Sequence, residues 1–179
     1  MNDMTARKKF IVIVLLVTTM DWAFWTGGQL FNLLMVVPGW SYDAPETIRW
    51  YQQHMLSHDI AYFFVVVNPV FLIIPAIVAW ISSARLRTPF VKWFGVAVLC
   101  DLVVTLVVGL WMAPTARRIF SAAAGGAGDF AAQSVSLHYW KIANGARVVL
   151  EIITLLLFLI AILKFSEADH LSRQGNPGR

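Results

Sequence analysis

Apolar residues run through this chain in four long stretches, at about 10–37, 60–81, 89–113 and 139–163, with polar residues gathered between them. Each stretch meets the roughly 20 residues that a helix needs to cross a bilayer. The pattern predicts an all-α fold, a four-transmembrane-helix bundle. The first stretch follows Arg7, Lys8 and Lys9 as a signal peptide would, but it is too long for a secretory apolar core and lacks a small-x-small cleavage site. It reads as a retained span. The connection 82–88 is short and makes the second and third helices antiparallel neighbours. The other two connections are long. Residues 45–57 carry the pattern of an amphipathic turn-helix lying at the interface, and 115–138 begin with Arg117 and Arg118 before a run of small residues. That second stretch reads as a flexible loop, either a lid over an outward-facing pocket or plain slack. Residues 1–165 form a single membrane domain on this pattern, and 166–179 read as a disordered tail.

Composition agrees, since 59% hydrophobic and 13% charged residues in 179 are too apolar a balance for a soluble fold of this size. The net charge of +4 invites a nucleic-acid partner, but the 14 Lys and Arg do not gather into one basic patch. They mark topology instead. Arg7, Lys8, Lys9, Arg85, Arg87, Lys92, Lys164, Arg173 and Arg179 fall on one side of the predicted bundle. The positive-inside rule makes that side cytoplasmic, with both termini inside a cell (inner) membrane. Trp40, Trp50, Trp111 and Trp140 then mark the outer boundary, and Trp80 and Trp93 the inner one. Cys100 stands alone, which excludes a disulfide framework.

Polar residues at depth carry the candidate chemistry. Trp140, Asn144, Arg147 and Glu151 fall within about 60° of one another on the fourth helix, a polar stripe that must face protein or an internal cavity. At 1.5 Å per residue, Asp21 and Asp101 lie roughly 16 Å, and Glu151 roughly 18 Å, above the inner ends of their helices, so the three acids share one level. Only Arg147 is near enough to offset them, and the charge balance needs at least one acid protonated. They are either structural carboxyls bonded across helices or include a proton acceptor for general-base work. The first helix adds a stripe of Thr18, Asp21, Trp25, Gly28 and Asn32, with Gly27-Gly28 permitting close approach of another backbone. The second adds Tyr62 and Asn68, beside Pro69 and Pro75. Trp25, Asn32, Tyr62, Asn68 and Trp140 are thus candidate walls for a flat hydrophobic ligand.

His54 and His58 are spaced i, i+4, and His138 opens the fourth helix at the same outer level. The trio is a candidate site for a metal or for haem ligation, against the plainer reading of interfacial histidines.

The spacing of Trp140, Asn144 and Arg147 resembles the anthrone-oxygenase-like family of small four-helix membrane proteins. The first helix ending at Pro38, Pro69 early in the second, and a third helix of the form Thr105, Val108, Pro114 resemble it too, over residues 10–163. The resemblance implies a small cofactor-independent oxygenase that converts a polycyclic phenol such as an anthrone to a quinone. It implies Glu151 or His58 as base, Arg147 and Asn144 as partners of the enolate oxygen, and Trp25, Tyr62 and Trp140 as walls. Two other classes fit the residues: a non-catalytic subunit of a larger membrane complex or a homo-oligomer, and a haem or quinone electron carrier using His58 and His138. A proton-coupled transporter would draw on the acids, but four spans without an internal repeat are few for alternating access.

Overall fold

Two prolines shape two of the three long helical stretches. In the computed structural model, which describes residues 2–54, 68–86, 88–125 and 127–174, helix α1 (Asn2–Phe31) passes into a π turn at Asn32–Val36 and then into α2 (Val37–Ser41). Helix α5 (Phe90–Val107) passes likewise into a π turn at Val108–Met112 and then into α6 (Ala113–Gly125). In each case a proline, Pro38 or Pro114, stands two residues beyond the π turn. Proline has no N–H to donate, and its ring clashes with the carbonyl four residues back. A wider turn relieves that crowding, and the N–H groups of Val37 and Ala113 reach back five residues to the carbonyls of Asn32 and Val108.

The remaining elements are α3 (Glu46–His54), α4 (Val70–Ser83), a 3-10 turn at Ala84–Leu86, α7 (Ala127–Ala131) and α8 (Ser134–Gln174). Every element among the described residues is helical. Three stretches, Ala6–Ser41, Phe90–Gly125 and Ser134–His170, are long and apolar enough to cross a membrane. Their lipid-type surface is visible in exposed Phe24, Leu34, Leu110 and Leu163. Helix α4 is apolar but has 14 residues, about 21 Å of helix, which is short of the roughly 30 Å hydrocarbon core. The first part of the predicted second span, 60–67, lies outside the described residues.

The residues group into two units, and α1, α5 and α8 contribute to both. The first unit holds 1–23, 69–103 and 151–179. Its helices α5 and α8 are antiparallel: Phe94 meets Phe158 with ring centroids 6.2 Å apart, and Phe90 meets Phe165 edge-on at 5.0 Å. Lys8 of α1 pairs with Asp169 of α8, its ammonium 5.8 Å from the centre of the Phe165 ring. Helix α4 leans its Trp80 indole on α5 at Gly95, where an added Cβ would lie 2.7 Å from Trp80 Cζ2. Only a glycine admits the ring that close.

The second unit holds 24–68 and 104–150. Its core joins Val37 and Trp40, Ile48, Met112, Ile119 and Ala123, Phe130, and Leu137 with Trp140. Residues 115–138, which read as a loop in the sequence, are therefore largely helical and buried at regular intervals. Alanine is the strongest helix former, and Ile119 and Ala123, one turn apart, give this short helix an apolar stripe to seat. Helix α8 also starts five residues before the predicted span and continues through Gln174, where the sequence pattern ended helix at 163 and began a disordered tail at 166. Lys164 to Glu167 at 2.9 Å, on one face, supports that extension.

Candidate ligand site

Polarity on α8 is turned inward. Trp140, Asn144, Arg147 and Glu151 are all buried, as are Thr154 and Phe158 further along the same face. In the first unit, Asp101 and Glu151 are 0% exposed, and Asp21 is half-buried. Neither Asp101 nor Glu151 is without a partner. Thr18 and Trp22 are fully enclosed as well, with the Thr18 hydroxyl and the Trp22 indole nitrogen unbonded among the described residues.

On α1 the inward face differs from the predicted stripe. Thr18, Trp22, Trp25, Thr26 and Gln29 are buried, whereas Asp21, Gly28 and Asn32 are half-buried. The buried set is centred about 60° round the helix from the expected one. Gly27 meets nothing among the described residues where its Cβ would stand. The rotation brings in Gln29, which the sequence reading missed. Arg147 donates from Nη2 to Gln29 Oε1, both residues in the second unit and both under 10% exposed. Asn144, one turn earlier on α8 and 1% exposed, leaves Nδ2 without a hydrogen-bond partner among the described residues.

Trp140 links this polar pair to an aromatic cluster. Its indole N–H donates to the Met112 carbonyl, at the end of the second π turn, at 3.1 Å. Its ring lies 5.7 Å from that of Trp40, which in turn meets Phe120 at 5.2 Å and Tyr51 at 6.4 Å. Beside Trp40 an open-sided cavity of about 280 Å³ is lined by Phe31, Met35, Val36, Gly39, Trp40, Trp50 and Tyr51. Its walls come from the end of α1, the first π turn, α2 and α3. The rim residues Phe31, Met35 and Trp50 are each more than half exposed, which makes the mouth apolar. Burial pushes the Tyr51 phenol above its usual range, so its hydroxyl is a neutral donor.

The sequence offered Trp40 and Trp50 only as boundary markers. Their role as walls was legible in one signal, the placing of Trp50-Tyr51 on an amphipathic helix opposite the apolar end of α1. Of the proposed walls, Trp25 and Trp140 are buried, while Asn32 and Asn68 are half-buried at the π turn and just before α4. Tyr62 and His58 lie outside the described residues. His54 is exposed, stacked on Trp50 at 4.8 Å with Nδ1 2.8 Å from the Trp50 carbonyl, and exposed His138 sits edge-on to Tyr139. Among the described residues no three His, Cys, Asp or Glu side chains gather as a metal-holding group. No protein-family model, curated protein or solved structure matches the chain.

Proposed function

We propose that this chain is an integral membrane protein of the cell's inner membrane, both termini cytoplasmic, that holds a flat, hydrophobic quinone- or phenol-like ring drawn from the lipid phase. The observation that carries the reading is the cavity beside Trp40: aromatic on two sides, apolar at its mouth, with one phenolic donor among its lining residues. Small-molecule sites take this form, a mostly hydrophobic concavity with few polar groups to fix orientation. Trp40 and Trp50 stack on the ring, and Tyr51 donates to its oxygen.

The resemblance to anthrone-oxygenase-like proteins extends this reading to catalysis. A base, Glu151 or His58, removes a methylene proton from an anthrone. The carbanion reacts with dioxygen, and the hydroperoxide so formed loses water to leave the quinone, one oxygen atom in the product and one in water. Arg147 and Asn144, which lie outside the lining of the Trp40 cavity, are the cationic and hydrogen-bonding partners that the resemblance implies for an enolate oxygen. Asp21 and Asp101 complete the acid layer as alternative proton acceptors.

The test uses the full chain in lipid nanodiscs, titrated with 1,4-naphthoquinone and followed by tryptophan quenching, then supplied with anthrone while oxygen uptake is recorded. Saturable quenching that weakens about tenfold in Trp50→Leu supports the site, that factor being about 1.4 kcal/mol of aromatic contact. Quenching that rises linearly and identically in both proteins overturns it. Anthrone turnover that is unchanged in a folded Arg147→Leu variant removes Arg147 from the chemistry.

A further inference from the structure

Two of the cavity's walls, Trp50 and Tyr51, ride on α3, a nine-residue helix, too short to hold itself in water. What fixes it is a set of side chains that donate to carbonyls of neighbouring helices. Arg49 Nε reaches the Ala123 carbonyl in the last turn of α6 at 2.7 Å. Thr47 Oγ1 reaches the Trp40 carbonyl in the last turn of α2 at 2.7 Å, and Gln52 Nε2 reaches Phe120 of α6 at 3.3 Å. Helix ends leave their last carbonyls without intrahelical partners, and a cation there also meets the negative end of the helix dipole. Ile48, fully buried, belongs to the same core cluster as Ile119 and Ala123 of α6.

We propose that Arg49 is a positioning residue for the ligand site, holding α3 on α6 so that Trp50 and Tyr51 face the bound ring. The inference rests on the ligand reading above. Arg49 does not line the cavity, and its only ion pair among the described residues is a loose one to exposed Glu46 at 3.7 Å. Its charge-assisted bond to a helix C-terminus is the strongest of the three that seat α3. The bond acts on the ligand through the helix and touches no ligand atom.

The experiment compares wild type with Arg49→Ala, Arg49→Lys and Glu46→Gln in nanodiscs, reading 1,4-naphthoquinone affinity and off-rate by quenching and hydrogen exchange of amides 46–54. In Arg49→Ala, affinity falls about tenfold or more through a faster off-rate, and exchange of α3 speeds up by a similar factor. Arg49→Lys, which keeps a cationic donor, recovers both to within about threefold of wild type, and Glu46→Gln changes neither. Wild-type binding with unchanged affinity in Arg49→Ala overturns the positioning role, whether or not exchange changes. Faster exchange and weaker binding with no recovery in Arg49→Lys overturns it as well. An absence of saturable quenching in wild type is a different failure, of the ligand reading itself, and takes this inference with it.

Discussion

Arg147 donates to the side-chain oxygen of Gln29 with both groups nearly enclosed by protein. A guanidinium in that setting loses more when an acceptor is removed than an exposed one does, because no water replaces it. Gln29→Leu is therefore expected to lower stability by about 1.5–3 kcal/mol, the range for a hydrogen bond to a charged group, in a detergent or thermal unfolding titration. Gln29→Glu, which keeps an acceptor, should stay closer to wild type. Gly95 supports a sharper prediction. A methyl there meets the Trp80 indole, so Gly95→Ala should cost about 1–3 kcal/mol of overpacking, and the loss should shrink when Trp80→Ala is added in a double-mutant cycle. Neither residue stood out in the sequence. Gln29 was hidden because a polar stripe built on Asp21 and Asn32 fixes the inward direction only to within a residue or so. Gly95 was hidden because a glycine in an apolar run gives no sign of which ring leans on it. Asn144, Arg147 and Glu151 were legible, because lipid cannot hold such groups cheaply and their spacing left one face to turn inward.

At the scale of elements, the long helices were legible from the run of apolar residues, and the π turns were not. A proline in an apolar stretch says that the helix must adjust; it does not say whether by kink, break or widened turn. Here both Pro38 and Pro114 are met by a π turn ending two residues earlier. Since a π turn is an α-helix with one extra residue, deleting Leu34, whose side chain is exposed, should restore α-helical register at Asn32–Val36 and keep Trp40 facing as before. Pro38 would then sit in a regular helix interior, at a cost of about 3 kcal/mol. The single deletion is thus expected to be strongly destabilised in thermal unfolding, and the deletion combined with Pro38→Ala to recover most of the loss and retain naphthoquinone quenching. Equal destabilisation of both variants would mean that the extra residue itself, and not relief of the proline, is what the helix needs. The stretch 115–138 misled for the opposite reason. Its small residues signalled flexibility, but alanine favours helix, and four buried apolar positions from Ile119 to Leu137, spread over α6, α7 and the start of α8, give those helices a core to join.

For the molecule as a whole, the Lys8–Asp169 pair bears on topology. It joins the beginning of α1 to the last turns of α8 within the first unit, so Lys8 and Asp169 lie at the same end of that unit. A chain whose ends meet on one side of a bilayer crosses it an even number of times, and three long apolar helices make an odd number. A fourth crossing at the apolar run 60–81 would make the number even, and the positive-inside rule, applied to the basic residues at 7–9, 85–92 and 164–179, predicts a cytoplasmic shared end. Cysteine accessibility tests both parts together. With Cys100 replaced by Ser, cysteines placed at Ala6 and His170 should react with a membrane-impermeant maleimide only after the cells are opened. Cysteines at Gln53 on α3 and Ser121 on α6, both exposed positions of the second unit, should react in intact cells. Labelling of Ala6 and His170 from opposite sides would remove the fourth crossing. Labelling of both from outside would keep it and invert the chain, placing the ligand cavity on the cytoplasmic face and reversing the side to which a quinone product is released.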